Sequence, residues 1–154
     1  MRRLPTLAAL VALALCGGCS SGSRSGTPEH LVADLSFEIR YQATVEIDRD
    51  GSNLDVALTP RTGFDLLESG KRYEGIGVLE DFPEAHTRLY TAGFDAPAIR
   101  GGPCGSRPIT LALSLSRRGD RPDLSGSLAA YCGAKTYTGT PARIFRLAGK
   151  LRSD

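Results

Sequence analysis

The sequence predicts an all-β domain, a small antiparallel sandwich or barrel of about eight strands joined by meander hairpins. Three observations carry this. Apolar and polar residues alternate strictly over long stretches, above all from Ala33 to Asp48 and from Ile109 to Ser116, and a period of two marks a half-buried strand. Turn residues recur between the stretches, with 18 Gly and 9 Pro in 154 residues. No segment shows the 3.6 period of an amphipathic helix. A strand with one apolar face and one wet face favours antiparallel pairing.

The chain begins with Met1-Arg2-Arg3 and an unbroken apolar run from Leu7 to Leu15. That run is too short to span a bilayer and suits the core of a signal peptide. Leu15-Cys16-Gly17-Gly18-Cys19-Ser20-Ser21 follows. This resembles the lipobox of bacterial lipoproteins, with small residues directly before a cysteine. The resemblance implies that residues 1–18 are removed and that Cys19 is acylated and becomes the new N-terminus. With Ser20 rather than Asp behind the anchor, it also implies an outer-membrane protein facing the periplasm, where the cell has such a membrane. The alternative is an ordinary secretory signal cleaved nearby. Residues 19–30 read as the lipidated Cys and a flexible tether, because Ser20 to Thr27 is polar and rich in Gly and Ser. Fully extended, those residues reach roughly 25–28 Å. The β-domain is expected over 31–152.

Within the domain, Ala33 to Asp48 reads as one strand with Leu35, Phe37, Ile39, Tyr41, Ala43, Val45 and Ile47 on its buried face. Asp50-Gly51 supplies the positive φ that a hairpin turn needs. Asn53 to Thr59 returns with Leu54, Val56 and Leu58 inward, until Pro60 stops it. Phe64, Leu66 and Leu67 are placed to cap the core from a loop. Lys71 to Glu80, thinned by Gly75 and Gly77, and Thr87 to Ala92 read as further strands. After the Gly/Pro-rich loop Asp95 to Pro108, Ile109 to Ser116 and Leu124 to Cys132 form a hairpin around Gly119. Lys135 to Thr138 and Arg143 to Leu147 are the last expected pair.

Cys16 would leave with the signal and Cys19 would carry lipid, so Cys104 and Cys132 remain as a pair. Hairpin register sets Cys132 opposite Pro108, close enough for a Gly/Pro loop to bring Cys104 to it. An exported protein favours the disulfide; two free thiols or metal ligands are the alternative. His30 and His86 are not at a metal-binding spacing from either Cys.

Of 19 Lys and Arg against 17 Asp and Glu, Arg2 and Arg3 make up the difference, so the mature chain is neutral. That gives no case for nucleic acid as a partner. The charges are segregated nonetheless: 14 acids against 6 basic residues from Glu29 to Asp95, then 3 against 10 from Ala96 to Asp154. Either the two halves pack together and neutralise each other, or the surface is bipolar. In the second case Arg117, Arg118 and Arg121, on one tight turn, are the candidate anion-binding residues for an anionic envelope component or an acidic protein loop.

Catalytic patterns are sparse. Gly18 to Gly22 matches the G-x-S-x-G elbow in letters, but it lies at the lipidation site with no strand before it. No Gly-Lys-Ser/Thr follows the glycines around Cys104, so they do not form a phosphate loop. Glu80, Asp81, Glu84 and His86 cluster around Pro83 and read as solvated loop charges. No catalytic residue, metal site or cofactor is expected. Ser69-Gly70-Lys71-Arg72-Tyr73 is similar to the Ser-Gly-x-x-Tyr loop of membrane-bound lysozyme inhibitors, small β-barrel envelope proteins that insert this loop into the enzyme cleft. The resemblance implies Ser69 and Tyr73 as inhibitory-loop residues, with Glu80 and Asp81 standing where that family has Lys. The expected function is a lipid-anchored envelope protein in a binding or structural role, with enzyme inhibition as the alternative.

Overall fold

The computed structural model describes residues 28–153, apart from 63, 65, 100 and 136. The expected signal peptide, Cys19 and most of the expected tether lie outside the described residues. Eight strands follow in order: β1 (Glu29–Phe37), β2 (Tyr41–Asp50), β3 (Asn53–Pro60), β4 (Tyr73–Phe82), β5 (Thr87–Ala96), β6 (Ile109–Arg118), β7 (Asp123–Cys132) and β8 (Arg143–Leu151). Each pairs antiparallel with the next and β8 pairs with β1, so the sheet closes into a barrel. Closure removes the exposed edges that an open sheet would offer.

The stretch Ala33 to Asp48 is a hairpin and not one strand. β1 stops at Phe37, and β2 starts at Tyr41. The alternation runs straight through because Phe37 pairs with Tyr41 and Leu35 with Ala43. Antiparallel partners share a face, and here both members of each pair have odd numbers, so odd residues stay inward on both strands. At the tip, Arg40 N donates to Phe37 O at 3.1 Å, and Glu38 and Ile39 have φ of 46° and 68°. Two successive left-handed residues make a type I′ turn. At the other end of the chain, no strand forms over residues 135 and 137–138 among the described residues. The count of eight holds because one expected strand divides and another is missing.

The inside of the barrel is filled by Phe37, Val45, Leu58, Phe94, Leu111, Leu115, Leu128 and Phe145, all essentially inaccessible. One end, where β1 meets β2, is closed by an aromatic cluster. The loop after β3 folds over it, with Phe64, Leu66 and Leu67 buried as expected. The Phe64 ring lies 5.2 Å from Phe37, 4.6 Å from Tyr41 and 5.7 Å from Phe145. The disulfide Cys104–Cys132 forms, with Cα atoms 5.2 Å apart, and fastens the loop before β6 to the end of β7. Register sets Cys132 opposite Ile109, one residue from the expected partner. At Gly126, on inward parity, the neighbouring strand's backbone comes too close for a side chain: a Cβ there would lie 1.8 Å from the backbone oxygen of Ser114, so only glycine fits.

Candidate functional site

With the interior occupied by side chains, a partner or ligand has to meet the outer wall or an end of the barrel. Antiparallel register places Ile76 beside Gly93, Gly93 beside Ala112, Ala112 beside Ala129 and Ala129 beside Ile144. These five residues form a single row across β4 to β8, all on the outward parity of their strands. At about 4.8 Å per strand the row is roughly 19 Å wide. Its ends are bulky and exposed, with Ile76 at 77% and Ile144 at 54%, and its middle is built of small residues. The resulting groove, ≈480 Å³, is flanked by Val78, Tyr131 and Tyr137 and has no charged residue in its lining. Tyr137 lies over Gly93, since a Cβ there would meet its Oη at 2.0 Å. The row lies in the half of the barrel away from Glu29, where β1 begins. Ile39 is on the same half, 95% exposed on the turn between β1 and β2.

The opposite end, the mouth, is charged. Glu29, Arg49, Asp81, Arg88 and Arg117 occupy inward parity there, at the ends of β1, β2, β4, β5 and β6. Glu29 faces Arg49 across the ladder, Asp81 faces Arg88, and Arg88 faces Arg117. Glu29 bridges two guanidinium groups, with Oε2 3.4 Å from Arg49 Nη1 and Oε1 4.0 Å from Arg117 Nη1. Arg88 Nε is 3.3 Å from Asp81 Oδ1. Burial pulls the Arg88 pKa down, but the neighbouring Tyr90 oxygen and the Asp81 carboxylate outweigh it, and the net shift is upward.

The turn does not gather the three predicted arginines. Arg117 folds inward and ties the turn together, donating from Nε to Arg121 O at 2.9 Å and from Nη2 to Asp120 O at 3.2 Å. Arg118 and Arg121 line a different hollow, together with Glu84 and Asp123. The predicted inhibitory loop is likewise turned in on itself. Tyr73 is buried and its Oη accepts from Glu68 N at 2.9 Å, while Ser69 Oγ donates to Arg61 O at 2.7 Å. Among the described residues no group of three or more His, Cys, Asp or Glu side chains is placed to hold a metal.

The acidic and basic halves of the chain meet along the closing seam. Asp34 of β1 accepts from Arg152 Nη2 at 2.7 Å and Glu29 meets Arg117, while Arg61, from the acidic half itself, is a second donor to Asp34. The hydrogen bond from Arg152 and the charge of Arg61 hold the Asp34 carboxyl below its ordinary range, against a smaller opposing effect of burial.

Sequence reading did not find the uncharged wall or the charged mouth, although both left signals. Outward positions from Thr110 to Ser116 and from Ser125 to Tyr131 carry no charge. Arg49, Arg88 and Arg117 share the parity of the buried residues Ile47, Tyr90 and Leu115, two positions away in each case. Comparison with known protein families, with curated proteins and with solved structures finds no match to this chain.

Proposed function

We propose that this chain is a lipid-anchored protein of the bacterial cell envelope, held by Cys19, whose barrel docks a protein partner through its outer wall and performs no catalysis. The observation that carries the docking reading is the row Ile76, Gly93, Ala112, Ala129 and Ile144 with its uncharged groove. In a chain of which 23% is charged, a contiguous neutral strip with protruding isoleucines at its ends is what an interface core requires. The anchor reading rests on the lipobox-type segment. The two fit together in space: the described chain enters at the mouth, so the wall is on the half of the barrel turned away from the tether.

A photo-crosslinking amino acid at position 112 or 129 is expected to capture one discrete species in living cells, and the same probe at Asp55 on β3 to capture none. Ala112→Glu should abolish the capture from position 129 while changing stability by no more than about 1 kcal/mol. Equal capture from position 55, or capture insensitive to Ala112→Glu, refutes the docking wall. For the anchor, Cys19→Ser should move the protein out of the membrane fraction and end labelling by a clickable fatty acid. A Cys19→Ser protein that is still labelled and membrane-bound refutes it.

A further inference from the structure

Tyr137 sits in the groove of the outer wall without being fastened there. A Cβ on Gly93 would meet its Oη at 2.0 Å, its Cζ at 2.8 Å and its Cε1 at 3.1 Å. The edge of the ring therefore fills the space that the missing side chain leaves on β5. Gly93, Ala112 and Ala129 are half-buried although their parity is outward. Tyr137 itself remains 51% exposed. Among the described residues its side chain makes no hydrogen bond and no ring contact with another aromatic. Van der Waals contact alone holds it.

The chain on either side is tied down, with Lys135 N donating to Asp95 Oδ1 at 3.3 Å and Ala142 N to Ala130 O at 2.7 Å. The ring can nonetheless leave by turning between its own staggered rotamers, with the backbone in place. An exposed side chain makes such turns within nanoseconds. What it uncovers is the bare backbone of Gly93, with the hydroxyls of Ser114 and Ser127 in the same uncharged lining. A flat apolar body with a polar tip fits such a surface, and an aromatic side chain has that shape.

We infer that Tyr137 is a resident plug of the docking wall, and that a protein partner docks by seating an aromatic side chain of its own where Tyr137 rests. The inference rests on the docking reading above and adds to it the chemistry of the anchor and an internal competitor. A ring laid over a strand glycine covers exposed backbone, and a partner's ring does the same. Aromatic anchors seated in pockets carry most of the energy of many interfaces. The competitor lowers apparent affinity in proportion to its occupancy: a groove free about a third of the time binds about threefold more weakly than an open one.

The test uses the full chain in lipid nanodiscs, with N-acetyltyrosinamide as the probe and the amide resonances of Gly93 and Ala112 as the readout. Nuclear Overhauser contacts between Gly93 Hα and the Tyr137 ring should mark the seated ring in the wild type. In Tyr137→Ser the probe should shift both amides saturably, with a midpoint of about 10–20 mM, the affinity a ligand of one ring attains. The wild type and Tyr137→Phe, which keeps the ring, should need about threefold more, and N-acetylalaninamide should shift neither resonance. In cells, at expression low enough to avoid saturation, photo-crosslinking from position 129 should rise about threefold in Tyr137→Ser. No shift in Tyr137→Ser up to about 100 mM probe overturns the aromatic anchor, and capture from position 129 that persists in that case leaves the docking wall standing. Equal midpoints in wild type and Tyr137→Ser overturn the plug. A fall in capture in Tyr137→Ser makes Tyr137 part of the interface and likewise overturns it. Absence of capture from position 129 in wild type and variant alike refutes the docking wall, and the inference with it.

Discussion

Replacing Ile39 by glycine should stabilise the protein. The side chain is 95% exposed, so its removal sacrifices almost no buried surface. Its φ of 68° holds a β-branched residue in the left-handed region, which costs an L-residue roughly 1–2 kcal/mol. Glycine removes that cost but gives the unfolded chain more freedom, which offsets about 0.4–1 kcal/mol of the gain. The expected net is a gain of about 0.5–1 kcal/mol, or roughly 2–4 °C in Tm for a domain of this size. Ile144 is the internal control, because it is also more than half exposed but lies in β8 with extended backbone. There the same substitution should cost about 1 kcal/mol, since glycine weakens a strand and isoleucine favours one. Urea denaturation at constant m-value reads both. If Ile39→Gly lowers the midpoint as Ile144→Gly does, the turn carries no left-handed strain and the reasoning fails.

Cys132→Ser should lower stability by about 3–4 kcal/mol, the entropy of closing a 28-residue loop, with the far-UV circular dichroism of the barrel retained at low temperature. Non-reducing peptide mapping should recover the Cys104 and Cys132 peptides joined. Gly126→Ala should cost about 3 kcal/mol or more, because the new Cβ meets backbone. Gly93→Ala should cost less than about 1 kcal/mol, because the Tyr137 ring it meets can swing away; urea midpoints of the two variants separate these cases. Asp34 titrates below its ordinary value of 3.8, so its ion pairs add stability above that pH and lose it as the pH falls through the lowered value. Asp34→Asn should therefore flatten the acid limb of the stability profile below about pH 4 and leave the slope from about pH 5 to 8 unchanged. The side chain is 45% exposed, so the change is small and is read by comparing urea midpoints across that range.

Much of the barrel was legible because inward residues alternate with outward ones on every strand. The β2–β3 hairpin announced itself through Asp50-Gly51, and the β6–β7 hairpin through Gly119 between two alternating runs. The β1–β2 hairpin did not. Its turn needs positive φ twice and is built from Glu38-Ile39, where turn chemistry favours Asn-Gly, and its odd-to-odd pairing left no break in the pattern. The disulfide was legible from hairpin register to within one residue. The two candidate sites were not, because each is assembled across strands far apart in the chain. Ile76 and Ile144 become ends of one row only when β4 to β8 are in register. Glu29 comes beside Arg117 only when β8 closes on β1 and brings the first strand near the sixth. Local turn chemistry and alternation carry no information about that closure.

The way β1 is held also decides how the molecule bears load. β1 pairs with β2 along all nine of its residues and with β8 along five of them, Ala33 to Phe37. A pull applied at Glu29 and resisted at the outer wall runs along the axis of β1. Over Ala33 to Phe37 it therefore loads the ladder bonds on both flanks together, in shear, while Glu29 to Val32 are held on the β2 flank. An N-terminal tether on this barrel consequently draws on the mechanically strong direction of the sheet. The same force applied at the tip of the β1–β2 turn, across the strands, would open the hairpin one pair at a time.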